Sequence, residues 1–194
     1  MSRDTPPRTH ADAIHAPWRD TYMQSLAAGP GDSPGDTASS GCFLSDYWNQ
    51  PERDEMHGVI ARVGTGPTGG MILLNKYPYA NGHLLVALGE GRASLSEYTP
   101  EQQAALWALV TRAAALCRET LGPQGLNIGI NEGAAAGAGV PQHLHAHVVP
   151  RWNGDVNFIT VVGQVRVIPS AMESMYERYR AAWALTPQPE PPAA

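Results

Sequence analysis

Three histidines at alternate positions restrict the possible fold more than any other feature of this sequence. His143, His145 and His147 are separated by single apolar residues and are followed by two valines. Because successive side chains of a β-strand point to opposite faces of its sheet, this spacing predicts a strand over residues 143–149 with all three imidazoles on one face. The apolar side chains on the other face would be buried against a core, which leaves the histidine face for solvent, a metal or catalysis.

Size and composition indicate one soluble domain. The chain has 194 residues, of which 43% are hydrophobic and 16% charged, and this is enough for a single core. Its net charge of −5 argues against long nucleic acids as partners, because they are bound by clustered Lys and Arg. The first 25 residues contain no apolar signal segment and no long apolar run occurs, so no membrane association is expected. Cys42 and Cys117 are too few for a disulfide framework, which favours a reducing, cytoplasmic location.

Composition also divides the chain into three parts. Residues 42–185 are rich in apolar side chains and form the expected domain. Residues 1–41 form an N-terminal extension, and its stretch 27–41, like the tail 186–194, has little apolar content to bury. Since ordering such segments loses entropy without burying apolar surface, we expect both stretches to be disordered.

Short runs rich in apolar and β-branched residues predict five strands in the domain. The runs span 57–63, 70–75, 82–88, 125–130 and 143–149. The second and third runs are joined by a turn that contains Pro78 and Asn81-Gly82, which predicts an antiparallel hairpin.

Two capping patterns predict two helices. Thr99 and Gln102 have the spacing of a capping box, and the apolar positions that follow recur at helical spacing as far as Gly122. Ser170 and Glu173 repeat the pattern before a second amphipathic segment. Its stripe, expected in the core or at an interface, comprises Met172, Met175, Tyr176, Tyr179 and Trp183. Together these elements predict an α+β fold, with an antiparallel sheet of about five strands and two helices.

The residue pattern alone leaves three interpretations of the histidine face open. The first is a polar face turned to solvent, although threonine or lysine would serve there as well. The second is a metal site, in which two of the imidazoles bind zinc and His57 or His83 completes the ligand set. The third is nucleophilic catalysis, in which a neutral imidazole attacks phosphorus and forms a covalent intermediate.

The histidine segment resembles the His-x-His-x-His-x-x signature, with apolar x, of the histidine triad family of nucleotide hydrolases and transferases. Two further segments strengthen the resemblance: Asn75 with His83 eight residues later, and an Asn-Glu-Gly segment that begins at Asn131, one loop before the triad. Residues 16–22 and 150–158 are similar to the bacterial branch of diadenosine tetraphosphate phosphorylases. The resemblance implies the antiparallel fold of that family.

The resemblance implies a role for each histidine of the triad. His145 would be the nucleophile that takes the nucleotidyl group at the α-phosphorus. His147 would donate a hydrogen bond to a phosphate or leaving-group oxygen, and His143 would help to orient His145. A neutral nucleophile needs one ring nitrogen bound to an acceptor, because that bond fixes the tautomer in which the other nitrogen keeps its lone pair.

The resemblance also implies substrate-binding residues. Asn131 would contact phosphate oxygens, Asn75 would lie near the nucleotide and His83 would lie beside the triad. Residues 133–139 have only small side chains, so their amides could form an anion-binding nest, although a flexible hairpin loop explains the same composition. Relatives carry a polar Gln or Ser in this loop, whereas here any contact would come from the backbone. The predicted contacts in the loop are Gly137 and Gly139.

The activity implied is cleavage of dinucleoside polyphosphates such as diadenosine tetraphosphate through a nucleotidyl-histidine intermediate, with inorganic phosphate as the acceptor. Lys76, Arg151 or Arg166 would supply positive charge for this second anion. The alternatives are hydrolysis of nucleoside phosphoramidates or polyphosphates, with water as the acceptor, and non-catalytic nucleotide binding. No cofactor is expected beyond Mg²⁺ carried by the polyphosphate. A homodimer that acts on a small nucleotide is expected.

One departure from the family concerns a structural zinc site. Many relatives carry Cys-x-x-Cys near the N-terminus, whereas Cys42-Phe-Leu-Ser45 retains only the first sulfur. Structural zinc normally has four ligands, so we predict that this metal site is lost and that Cys42 is a buried, small apolar residue.

Overall fold

A five-stranded antiparallel sheet forms the centre of the molecule. The computed structural model describes residues 41–155 and 170–186. The strands of this part are β1 Val59–Val63, β2 Gly70–Leu74, β3 Leu84–Leu88, β4 Gly125–Ile130 and β5 Ala146–Arg151. They lie in the order β1-β2-β3-β5-β4, and every neighbouring pair is antiparallel. The predicted α+β fold is confirmed, and β5 is placed between β3 and β4 rather than at an edge.

Four α-helices accompany the sheet in the described residues. They are α1 Phe43–Trp48, α2 Asp54–His57, α3 Pro100–Leu121 and α4 Met172–Leu185. The two long helices, α3 and α4, are those predicted from the sequence, whereas the short α1 and α2 were not predicted. Among the helices of the described ranges, none has the length and apolar character needed to span a membrane.

The N-terminus of α3 has the predicted capping box. The Thr99 side chain accepts a hydrogen bond from the backbone N–H of Gln102, and the Gln102 side chain accepts one from the N–H of Thr99. These two bonds satisfy amides that the first turn leaves without helical partners. At the other end Gly122 has a φ of 56°, a left-handed conformation that glycine adopts without strain.

The second predicted capping box is wrong. The N-cap of α4 is Ala171, which makes no side-chain cap, and the hydroxyl of Ser170 instead accepts a hydrogen bond from the Asn81 side chain at 3.3 Å. Because the helix begins one residue later than the pattern requires, Ser170 lies outside the capping position. The stripe of α4 faces the core of its own chain, with Met175, Tyr179 and Trp183 buried.

The sheet has a core on each side. On one side α3 and α4 pack over a large apolar cluster, and the alternate residues Leu144, Ala146 and Val148 are all part of it, as predicted. On the other side α1 covers a smaller cluster that includes Met71, Leu73, Leu85 and Ala87. Since the triad histidines alternate with residues of the large core, they lie on the α1 side of the sheet.

Several predicted strands are longer than the observed ones, and the difference matters most at the triad. Strand β5 begins at Ala146, so His147 lies in the ladder whereas His143 and His145 precede it. The backbone N–H of Leu144 donates to the carbonyl of Arg92 at 2.7 Å, and that of His143 to Val140 at 3.1 Å. This segment is therefore held by loops rather than by a neighbouring strand.

The other differences are smaller. The run 57–63 begins as a strand only at Val59, because His57 completes α2. The runs 70–75 and 82–88 form β2 and β3, which pair as the predicted hairpin from Leu74 with Leu84 to Gly70 with Leu88.

Candidate active site

Three imidazoles meet where β5 begins. The ring centroids of His145 and His147 are 5.0 Å apart, and those of His147 and His83 are 5.2 Å apart. His83 directly precedes β3, and β3 pairs with β5 so that Leu85 lies opposite His147. The hairpin between β2 and β3 therefore brings the fourth histidine beside the triad.

A backbone carbonyl fixes the tautomer of His145. Nδ1 of His145 lies 2.9 Å from the carbonyl oxygen of His143. A carbonyl oxygen can only accept, so Nδ1 carries the proton and Nε2 keeps its lone pair. His145 is only 5% exposed, and this burial lowers the pKa of its imidazole, so the neutral form is favoured at neutral pH. This is the state that a nucleophilic imidazole requires.

The proton on His147 is set by a chain of donors that begins at a backbone amide. The N–H of Tyr79 donates to Nδ1 of His83 at 3.1 Å, and the Asn75 amide lies 3.2 Å from the same nitrogen. Because Nδ1 of neutral His83 accepts, its Nε2 carries the proton and donates to Nδ1 of His147 at 3.0 Å. Nε2 of His147 is then the protonated nitrogen, which suits a donor to a phosphate or leaving-group oxygen.

Tyr79 is a site residue that sequence reasoning missed. Its ring stacks on His147 with centroids 5.7 Å apart and lies 4.7 Å from His83. The only signal in the sequence is its position in the turn, four residues before His83. Tyr79 thus fixes the tautomer of His83 with its backbone and packs against the histidine pair with its ring.

The two predicted asparagines have different surroundings. Asn75 follows β2 and binds within the protein, through its amide to His83 and through its Oδ1 to the N–H of Tyr77 at 2.9 Å. Asn131 directly follows β4, in which Ile130 pairs with Ala146. Asn131 is the residue after Ile130 and His145 is the residue before Ala146, so each lies one position beyond the last pair of the ladder.

The loop 133–139 forms a tight turn that uses several of its own amides. Gly133 and Gly137 have φ values of 81° and 90°, which glycine alone adopts readily. The N–H groups of Ala136 and Ala138 both donate to Gly133, and the N–H of Gly137 donates to Ala134 at 2.9 Å. A phosphate bound by this loop would have to use other amides, so the predicted nest is smaller than its composition suggests. Phosphate contacts from Gly137 and Gly139 stay predictions.

His143 is held from two sides by other elements. Its ring is fully buried, Nε2 donates to the carbonyl of Leu88 at 2.8 Å, and Nδ1 lies 3.2 Å from the hydroxyl of Ser45 and 3.3 Å from Sγ of Cys42. Burial lowers the pKa of His143, which favours its neutral form. His143 contacts His145 through the backbone carbonyl of His143, while the ring of His143 faces α1 and β3.

The basic side chains that were predicted to bind a second phosphate make contacts with other protein groups where the structure describes them. Arg151 forms an ion pair with Asp155 at 2.6 Å and binds Oδ1 of Asn127 at 3.0 Å. The carboxylate neutralises its charge, which weakens the case for Arg151 as an anion-binding group. Nζ of Lys76 lies 5.6 Å from the ring centroid of Tyr47 on α1. Arg166 lies outside the described residues.

Comparisons with known proteins identify the family to which the chain belongs. The sequence profile of the HIT domain family matches residues 68–154. A Mycobacterium tuberculosis protein named AP-4-A phosphorylase is 32% identical over 176 residues, which cover 91% of this chain and 88% of that protein. The fold and the four-histidine site define a histidine triad protein, and the chain belongs to the HIT domain family.

Two further relatives extend the comparison. The asymmetrical bis(5'-nucleosyl)-tetraphosphatase of Schizosaccharomyces pombe is 32% identical over 82 residues, 42% of this chain and 44% of that protein. The crystal structure of a zinc-bound histidine triad family protein from Mycobacterium smegmatis is 32% identical and has a TM-score of 0.59. The structural match covers 74% of this chain and 93% of the M. smegmatis chain.

Within the described residues, the side chains around Cys42 do not fit the structural zinc site that such relatives suggest. Around Cys42 the donors are one thiol, the Ser45 hydroxyl and Nδ1 of His143. Structural zinc is normally bound by four thiolate or imidazole ligands, and a serine hydroxyl is not one of them. Within 41–155 and 170–186, no three His, Cys, Asp or Glu side chains are grouped to hold a metal. A hydrogen-bonded cluster joins Cys42, Ser45 and His143 instead.

Proposed function

We propose that this protein is an enzyme that cleaves dinucleoside polyphosphates by nucleotidyl transfer through His145. The observation that carries the proposal is the hydrogen bond from Nδ1 of His145 to the His143 carbonyl, because it leaves the Nε2 lone pair for attack. The ring of His147, whose protonated Nε2 is a hydrogen-bond donor, lies 5.0 Å away. The similarity to AP-4-A phosphorylase over 91% of the chain supports diadenosine tetraphosphate as the substrate to test.

In the first step, Nε2 of His145 attacks the α-phosphorus of the substrate. A nitrogen–phosphorus bond forms while the bond from that phosphorus to the bridging oxygen of the β-phosphate breaks. ATP leaves when diadenosine tetraphosphate is the substrate, and the Nε2 proton of His147 stabilises the departing oxygen. The His143 carbonyl stabilises the positive charge that develops on the His145 ring, since it accepts the Nδ1 proton.

In the second step, an oxygen nucleophile attacks the same phosphorus and the nitrogen–phosphorus bond breaks. Inorganic phosphate as the acceptor yields ADP, and water yields AMP. We propose phosphate, which the name of the M. tuberculosis relative supports. Hydrolysis is the second candidate, favoured by the similarity to the tetraphosphatase and by the ion pair that neutralises Arg151. Mg²⁺ would enter only with the polyphosphate.

Chromatography of the products with and without millimolar inorganic phosphate tests both steps. We expect ADP and ATP in equal amounts with phosphate present, and product formation by His145→Ala that is slower by at least about 10³-fold. AMP in place of ADP at millimolar phosphate would identify water as the acceptor. Intact diadenosine tetraphosphate after prolonged incubation with wild-type protein would overturn the proposed activity, and nucleotide binding without catalysis would then be measured by calorimetry.

We also propose a homodimer that forms through strand β4. In the described part of the sheet β4 pairs only with β5, so its other edge offers backbone donors and acceptors to a second copy. Ile128 on this strand is 43% exposed. The α4 stripe gives no such support because its largest side chains are buried in their own core. Light scattering at micromolar concentration should give twice the chain mass, and a monomer mass would overturn the proposal.

We further propose a cytoplasmic location. Cys42 and Cys117 are buried and are not joined by a disulfide, which suits a reducing compartment. Fractionation of cells that express the protein should recover it with cytoplasmic markers, and recovery from an extracellular or membrane fraction would contradict this location.

A further inference from the structure

The Ser45 hydroxyl contacts the triad but has no role in the two steps of the proposed reaction. It lies 3.2 Å from Nδ1 of His143 and 3.4 Å from Sγ of Cys42. Since Nε2 of neutral His143 donates to the carbonyl of Leu88, Nδ1 must accept. A hydroxyl is a stronger donor than a thiol, so the Ser45 O–H is the main donor to this nitrogen.

Both nitrogens of the His143 ring are therefore bound, and each is bound by a different element. Ser45 belongs to α1, whereas Leu88 ends β3. Gly91 closes in on the same ring, because a Cβ at this position would lie 2.7 Å from Nδ1 of His143. The ring thus has little room to turn, and the carbonyl of the same residue accepts the Nδ1 proton of His145.

We propose that Ser45, supported by Cys42, is a positioning residue for His145. The hydroxyl fixes the His143 ring, and the fixed ring holds the His143 carbonyl in the direction that orients the candidate nucleophile. The effect on turnover rests on the proposed function, whereas the effect on the tautomer of His145 does not depend on it.

The attachment of α1 does not depend on Ser45. The Arg62 guanidinium donates to the carbonyls of Tyr47 at 2.6 Å and Trp48 at 2.8 Å, and it forms an ion pair with Asp54. Leu44 is also fully buried on the same helix. Removal of the Ser45 hydroxyl should therefore leave the helix in place and act mainly on the His143 ring.

Steady-state kinetics with diadenosine tetraphosphate test the effect on turnover. We expect Ser45→Ala to lower kcat about tenfold and to change KM less than about twofold, because the nucleophile is misaligned while substrate contacts remain. Ser45→Thr keeps the hydroxyl and should restore most of kcat. Cys42→Ala should lower kcat less than Ser45→Ala, and Cys117→Ala, at the other buried cysteine, should leave kcat near the wild-type value.

Nitrogen-15 NMR of the histidine rings in the ligand-free protein provides a readout that needs no activity. In wild type we expect the proton on Nδ1 of His145 and on Nε2 of His143. Ser45→Ala should give a mixture of His145 tautomers, and Ser45→Thr should give the wild-type pattern. If Ser45→Ala does not fold, Gly91→Ala crowds Nδ1 of the same ring and should produce the same mixture.

The outcomes separate this inference from the proposed function. Inactive wild-type protein together with a changed His145 tautomer in Ser45→Ala would overturn the function and support the positioning role. If the His145 spectrum of Ser45→Ala is the same as that of wild type, the positioning role is overturned. This holds if kcat is unchanged, and it also holds if kcat falls together with the midpoint of unfolding.

Discussion

The first and last histidines of the triad occupy equivalent alternate positions in the sequence but have opposite surroundings in the fold. His143 is fully buried and is bound through both ring nitrogens, to Ser45 of α1 and to Leu88 of β3. His147 is partly exposed, and its Nδ1 accepts the proton of His83. The alternation of histidines places all three side chains on one face of the sheet. The neighbouring elements then determine whether an imidazole has a structural role or a role in the reaction.

The ladder around β5 explains this difference. His147 pairs with Leu85 on β3 and with Gly129 on β4. A side chain at Gly129 would meet no atom within 4 Å, so the sheet is open beside His147. His143 precedes the ladder, where α1 and the residues after β3 enclose it. The space above Gly129 is therefore open beside the His147 end of the motif, whereas the His143 end is enclosed.

Replacement of the central histidine should have the largest effect on turnover. His145→Ala removes the attacking nitrogen, so kcat should fall by at least about 10³-fold while nucleotide binding persists. Product chromatography measures the first quantity and calorimetry the second. A loss within about tenfold, or about 1.4 kcal/mol, would show that the central position is not the nucleophile.

The exposed end of the motif should contribute the next largest effect. His147→Ala removes the donor to the leaving oxygen and should lower kcat by about 10²- to 10³-fold, within the usual range for general acids. We expect His83 to act through His147, because it donates to Nδ1 of that ring, so His83→Ala should cause little further loss in a protein that already carries His147→Ala. Multiplicative losses in the double variant would disprove the chain of donors from His83.

The sequence allowed the sheet and the triad to be predicted because both depend on local periodicity. The alternation of apolar residues identified the strands, and a capping box identified the start of α3 at Thr99. The α4 cap failed because its start is set by tertiary contacts, as the bond between Ser170 and Asn81 shows. Local pattern predicts an element, but long-range packing determines where it begins.

The surroundings of the site were less accessible from the sequence. The contact between Ser45 and His143 joins residues 98 positions apart, and no local pattern signals it. The Gly-Ala loop was predicted from composition, which does not show that its amides at Ala136, Gly137 and Ala138 bind loop carbonyls. Residue types thus indicated the chemistry, whereas the tautomers required the three-dimensional contacts.

The free energy of unfolding should depend more on His143 than on His147, the reverse of what we expect for kcat. His143→Ala leaves the buried Leu88 carbonyl and the Ser45 hydroxyl without their partner in a sealed site, and should lower the free energy of unfolding by about 2 kcal/mol. His147→Ala should lower it by less than half as much, because water can fill the space that the imidazole vacates and accept the proton of His83. Urea denaturation of both variants measures the difference, and equal losses would contradict the division between scaffold and reaction.

The smallest expected effect is a shift with pH, which reports on the buried end of the motif. Burial lowers the pKa of His143 and of His145 below the ordinary value of about 6.5, so the unfolded chain binds more protons than the folded one just below that pH. Their contribution to stability is complete above about pH 6.5 and is lost as the pH falls through the lowered values in the folded protein. His143→Gln removes one of these groups, so its unfolding free energy should fall less steeply than that of wild type between pH 7 and pH 5. Urea denaturation across this range measures both slopes, and equal slopes would show that protonation of His143 does not oppose folding.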